Sequence, residues 1–174
     1  MTEAKDWVFI FPIIVVVLMI VSLFLSIMHV TFDIPLIPLT VEGDLIPIGG
    51  GLMDELEPYI GLAPEIETLQ TIFFWVGIGF AIFFGLDALL TFINAIRVKT
   101  GSKELKKAKT KWLSAGISKI ISQIILIYVL LTVVTDNLAD MGVIFNFVIG
   151  WGMILTFVSG GILIFSYLCA KIAG

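Results

Sequence analysis

One cysteine and one histidine in 174 residues leave this sequence little to do chemistry with. Cys169 alone makes no intramolecular disulfide, and no Cys or His pair stands at metal-ligand spacing. With no Cys-x-x-Cys-His run there is no haem attachment signal. No Ser/His/Asp arrangement forms either, because His29 sits at the far end of the first apolar run. The glycines at 49–51 lack the strand, helix and lysine of a phosphate loop. Asp87 stands alone in its apolar run, which excludes the paired aspartates of a lipid head-group transferase. The expectation is therefore no metal, no cofactor and no catalytic set.

Charge is also scarce. Charged residues make up 14% of the chain and hydrophobic ones 59%, where a soluble domain carries about a quarter charged. The mean hydropathy is +1.13. This is the composition of a membrane protein, and the length suits one domain over residues 1–174. The net charge of −4 hides an asymmetry: Arg97, Lys99, Lys103, Lys106, Lys107, Lys109, Lys111 and Lys119 are eight of the ten cations.

Four apolar runs reach the length of about 20 residues that a helix needs to span a bilayer: 8–30, 70–96, 113–135 and 143–172. The expected fold is an all-α integral membrane protein, a four-transmembrane-helix bundle. Both termini and the basic loop 97–112 then share one side, and residues 31–69 and 136–142 the other, where no Lys or Arg occurs. Cationic bias in short loops fixes orientation, so the basic loop and termini are predicted cytoplasmic. The loop cations read as a topology anchor, with attraction to anionic lipid as a second role. Nucleic acid is not an expected partner. Ser102 is an expected N-cap, followed by Glu104 and Lys107 at helical spacing.

The outer segment 31–69 is acidic yet rich in Ile, Leu and Pro, which predicts order against a partner or the bilayer. Glu42-Gly43-Asp44 reads as the centre of a hairpin, interrupted by Pro35, Pro38 and Pro47. Pro64, with Glu65 and Glu67 behind it, reads as a helix start. Asp54, Glu55 and Glu57 read as a solvated acidic face, since no calcium-type ligand loop is present. His29 and Asp33 are too few ligands for a metal site.

Small residues let membrane helices approach closely. Candidate packing rows are Gly77, Ala81 and Gly85; Ser114, Ser118 and Ser122; Gly142, Asn146 and Gly150; and Gly152, Thr156 and Gly160. Two charges remain that hydropathy does not explain. Asp87 and Lys119 lie about 15 Å and about 12 Å in from the basic loop at 1.5 Å per residue. A charge at that depth costs at least about 2.5–3.5 kcal/mol, so the two are expected to pair, with Asn94, Gln123 and Asn146 as supporting polar groups.

The leading expectation for function is a non-catalytic integral membrane subunit of a larger assembly, bound to other subunits or to copies of itself; an accessory subunit of a membrane enzyme is one form of this. The alternative is a small transporter or channel subunit that handles protons or cations near Asp87 and Lys119. A lipid-modifying enzyme would need Asp87 together with the basic loop.

Overall fold

A computed structural model describes residues 7–34, 39–48, 50–61, 64–102, 104–140 and 142–172. In chain order the elements are α1 (Ile10–Ser22), β1 (Met28–Ile34), β2 (Leu39–Leu45), α2 (Leu52–Leu56), a 3-10 turn (Glu57–Tyr59), α3 (Pro64–Lys99), α4 (Leu105–Val129), a π turn (Leu130–Val134), α5 (Thr135–Asp140), β3 (Ile144–Ile149) and α6 (Trp151–Ile172). Among the described residues, three helices are long and apolar enough to cross a membrane: Ile66–Lys99, Leu105–Thr132 and Trp151–Ile172.

The molecule is mostly helical, but it is not all-α, and two of the four expected spans change character. Helix α1 has 13 residues, about 20 Å of helix against a hydrocarbon core of about 30 Å. From Met28 the chain is a strand, not the end of a span. The cause is alternation: Met28, Val30, Phe32 and Ile34 are buried, whereas His29, Thr31 and Asp33 are not, and a period of two suits a strand and no helix. Likewise Ile144–Ile149 is strand β3, and α6 starts only at Trp151. Gly142, Asn146 and Gly150 therefore form no helical row.

The chain divides into two compact units. One comprises Met1–Val21, Phe83–Gln123 and Leu155–Gly174. Its packing comes from α1 and from parts of α3, α4 and α6. Phe11 meets Phe165 edge to face at 5.3 Å, and the Lys99 ammonium lies 4.8 Å from the centre of the Phe9 ring. On α4 the buried positions are Ala108, Trp112, Gly116, Lys119 and Gln123, one stripe at helical spacing. Ser114 and Ser118 are exposed and Ser122 is half-buried, which corrects the expectation that the serine row packs this helix. The smooth point of α4 is Gly116.

The other unit comprises Ser22–Ile82 and Ile124–Ile154. Its three-stranded antiparallel sheet runs in the order β2-β1-β3. Phe32 from β1, Phe145 from β3 and Phe73 from α3 close the core, with ring centres 5.3 to 5.9 Å apart. The hairpin expected to turn at Glu42-Gly43-Asp44 does not form: these residues lie within β2, paired with Thr31, Val30 and His29 of β1. Gly43 is required there by proximity, since a Cβ would sit 3.0 Å from the Leu52 backbone of α2. The expected roles of Pro35, Pro38 and Gly49 fall outside the described residues. Gly150 makes the turn from β3 into α6: its N–H donates to the Ile27 carbonyl at 2.9 Å, and a Cβ would overlap the Ser26 carbonyl.

Two local expectations also change. His29 faces Asp44 across the β1–β2 ladder at 3.2 Å, and Asp33 accepts from Thr40 at 2.6 Å. On a strand, positions four apart are not stacked as they are on a helix. Ser102 does not cap α4: its hydroxyl bonds to Thr100 at 2.7 Å, and the first turn closes on the Glu104 carbonyl.

Candidate functional site

The helices that cross the first unit bring two opposite charges together. Lys119 of α4 forms a salt bridge with Asp87 of α3; the lysine side chain is 1% exposed and the aspartate 21%. Lys119 sits on the buried stripe of α4, one turn after Gly116. Its room comes from α6, where Gly160 presents no side chain. A Cβ at Gly160 would lie 3.4 Å from Lys119 Cβ and 3.0 Å from the Gly116 carbonyl. A glycine pair thus sets the α4–α6 spacing and clears space for the lysine stem.

The depth of the pair follows from landmarks on each helix. Trp75, Tyr128 and Trp151 are exposed, and each stands at the opposite end of its apolar stretch from Arg97, Lys111 and Lys171. The separations are about 33 Å on α3, about 26 Å on α4 and about 30 Å on α6, close to the thickness of a hydrocarbon core. Between them the surface carries Ile82, Leu86, Leu89, Ile121, Ile125 and Phe165, all exposed. Asp87 is about 18 Å along α3 from Trp75, and Lys119 about 14 Å along α4 from Tyr128. Each charge sits near the middle of its own helix.

Other polar groups share the buried interior of this unit. Thr91, Gln123, Thr156, Ser159 and Ser166 are all buried. Gln123 follows Lys119 by four residues on the same face. Its Oε1 and the Ser159 hydroxyl have no hydrogen-bond partner among the described residues, although buried polar atoms are normally satisfied. Asn94 is half-buried, and its amide donates to the Leu90 carbonyl on its own helix at 2.9 Å.

Asn146 is not part of this group. It is exposed on β3, opposite Thr31, and thus belongs to the sheet. Of the packing candidates, Gly77 is buried near Leu45, Ala81 is half-buried, and Gly85 has open space where a Cβ would go. Gly152 is tightly placed, 3.0 Å from Cβ position to the Leu25 carbonyl, and Thr156 is fully buried.

The basic residues lie on the surface at the ends of α3 and α4. Arg97, Lys99, Lys106, Lys107 and Lys111 are exposed and Lys109 is half-buried; Lys103 is outside the described residues. The Lys107–Glu104 pair, 3.5 Å apart, is solvent-exposed and worth at most about 1 kcal/mol. Among the described residues no three His, Cys, Asp or Glu side chains are grouped to hold a metal.

Compared with family models, curated proteins and solved structures, the chain matches none. Any functional reading rests on the residues themselves.

Proposed function

We propose that the protein is a non-catalytic integral membrane subunit of a larger assembly, with the basic loop 97–112 and both termini cytoplasmic, the N-terminal one because Phe9, ahead of the short α1, lies under Lys99 at the basic end of α3. The observation that carries this reading is the edge strand β3. One edge of the sheet, β2, is covered by α2, as the Gly43–Leu52 approach requires. The other edge strand, β3, meets α5, but it has no charge and no proline, and it exposes Ile144, Asn146, Val148 and Ile149. Proteins that stand alone blunt such edges with charges, bulges or coverage. β3 also runs through Gly150 into Trp151, at the polar end of α6, so this edge lies outside the hydrocarbon, within reach of the extramembrane part of a partner. A strand or loop from a second subunit, another copy included, would satisfy it. The exposed Ser114 and Ser118 on α4 offer a further smooth surface that the chain's own packing does not use.

The expected result is that protein extracted in mild detergent migrates well above its 19.1 kDa, and that Asn146→Lys shifts it to the size of a free chain without unfolding it. A charge on an edge strand blocks pairing while leaving the buried face untouched. A wild-type protein already monomeric in gentle extraction would sink the reading.

Orientation has its own measurement. In a Cys169→Ser background, a cysteine at Glu55 should react with an impermeant thiol reagent on intact cells, and one at Glu104 should react only after lysis. The reverse pattern would overturn the orientation. The motive is charge alone: residues 22–82 and 124–154 contain no Lys or Arg, and cationic loops stay cytoplasmic.

A second reading has one specific observation in its favour. The unpartnered Gln123 Oε1 and Ser159 hydroxyl lie in the same buried unit as Asp87 and Lys119, and intramembrane ionisable groups often mark ion or proton paths. On that reading the protein is a transporter or channel subunit, and it alone would support proton or cation flux in liposomes.

A further inference from the structure

The sheet-containing unit holds an open cavity of about 620 Å³ between the α2 region and the first part of α3. That volume is within the range of small-ligand sites. Its walls include the carboxylates of Asp54 and Glu57, the amide of Gln70 and the rings of Phe74 and Trp75. The two rings meet edge to face with centres 5.7 Å apart, so they form a corner of electron-rich surface, which attracts cations. Asp54 is seated against Gly50, where any Cβ would overlap its carboxylate.

Two anions and two rings thus face a space with no cation to complement them. No lysine or arginine exists anywhere in residues 22–82 or 124–154, and the single histidine is engaged with Asp44. Both carboxylates are exposed to solvent, and a cation seated between them would have to come from outside the unit. The cavity also has a defined level. Trp75 stands about 33 Å of helix from Arg97, at the polar end of the apolar stretch, where lipid head groups lie. A quaternary ammonium would use the rings alone. A primary ammonium has three donors, which matches carboxylate and amide oxygens as well.

We propose that this cavity binds the primary ammonium of an ethanolamine-type lipid head group, between the Asp54 and Glu57 carboxylates and the Phe74–Trp75 corner. The proposal rests on α3 crossing a bilayer, but not on the orientation of the protein or on its having partner subunits.

Native mass spectrometry of the full-length protein, titrated with phosphatidylethanolamine, phosphatidylcholine and phosphatidylglycerol of identical chains, tests it. One phosphatidylethanolamine should be retained at least tenfold more tightly than phosphatidylglycerol. The preference should vanish in Asp54→Asn/Glu57→Gln and in Trp75→Leu, and fall in Gly50→Ala, whose Cβ would overlap the Asp54 carboxylate. Asp54, Glu57 and Trp75 are exposed, so these variants should keep the wild-type melting temperature. Equal retention of the three lipids, or a preference that survives both carboxylate changes, would overturn the proposal. Tighter binding of phosphatidylcholine would rule out a primary ammonium. Binding of free ethanolamine as tight as that of the lipid would make the ligand a soluble amine, and displacement by a lysine-rich peptide but not by ethanolamine lipid would make the cavity a protein-docking site; either result refutes the lipid assignment.

Discussion

Asp87→Asn or Lys119→Met, made singly, is expected to destabilise the protein by about 3–5 kcal/mol, the usual cost of leaving one buried charge without its partner. Lys119 is the more severe case to leave alone, because its side chain is 1% exposed and that of Asp87 is 21%. An unpaired Lys119 has to reach solvent by bending along α4, yet its stem is held beside Gly160. Removing Lys119 leaves an aspartate that is partly exposed near the middle of α3. The double substitution should recover most of the loss, since two neutral groups leave no uncompensated charge. Thermal denaturation in detergent, or reversible unfolding in bicelles, measures the cycle. Losses that simply add would show that the two side chains do not depend on each other. The same double variant separates the two functional readings. In a structural subunit, assembly returns with stability. In a proton or cation carrier, stability returns and flux does not.

The pairing of Asp87 with Lys119 could be anticipated because it needed only two facts from the sequence. The charges are costly at their depth, and a short loop joins their helices. The start of α3 at Pro64 was legible for a similarly local reason, a proline in the first turn with acids behind it. The sheet was not legible from hydropathy, because a window long enough to find a span averages over the alternation that marks a strand. His29, Thr31 and Asp33 carried that signal between Met28, Val30, Phe32 and Ile34. Asn146 was misplaced for the same reason: Ile144–Ile149 is apolar enough to join the following helix, but its β-branched and aromatic residues suit a strand. The packing face of α4 was misassigned because three serines at four-residue spacing resemble a stripe, whereas the stripe that packs contains Trp112, Lys119 and Gln123. Large and polar residues on a buried face are not what small-residue rules look for. The cavity beside Trp75 was beyond reach, since it depends on α2 approaching α3, which no spacing in the sequence states.

Gly116→Ala should be the most damaging single methyl added to the helices. The new Cβ would lie 2.7 Å from the Gly160 carbonyl oxygen and 2.9 Å from Ile164 Cγ1. The first of these is backbone, so the helices must separate, and overpacking of this kind costs about 1–3 kcal/mol. Gly160→Ala meets the Gly116 carbonyl and Ile120 at 3.0 Å and should cost less. The two changes together should cost less than their sum, because the first has already opened the space the second needs. Gly85→Ala and Gly161→Ala are the controls: nothing lies within 4 Å of either Cβ position, and alanine is favoured over glycine in a helix by about 1 kcal/mol. They should be neutral or stabilising. If all four variants melt alike, α4 and α6 do not approach at Gly116 and Gly160. The crossing also bears on the ion pair, because Lys119 is packed against Gly160 one turn from Gly116. Moving α4 away from α6 shifts the lysine stem and with it the reach to Asp87. Gly160→Ala should therefore cost less in the Asp87→Asn/Lys119→Met background than in the wild type. An equal cost in both backgrounds would mean that the glycine contact and the salt bridge act independently.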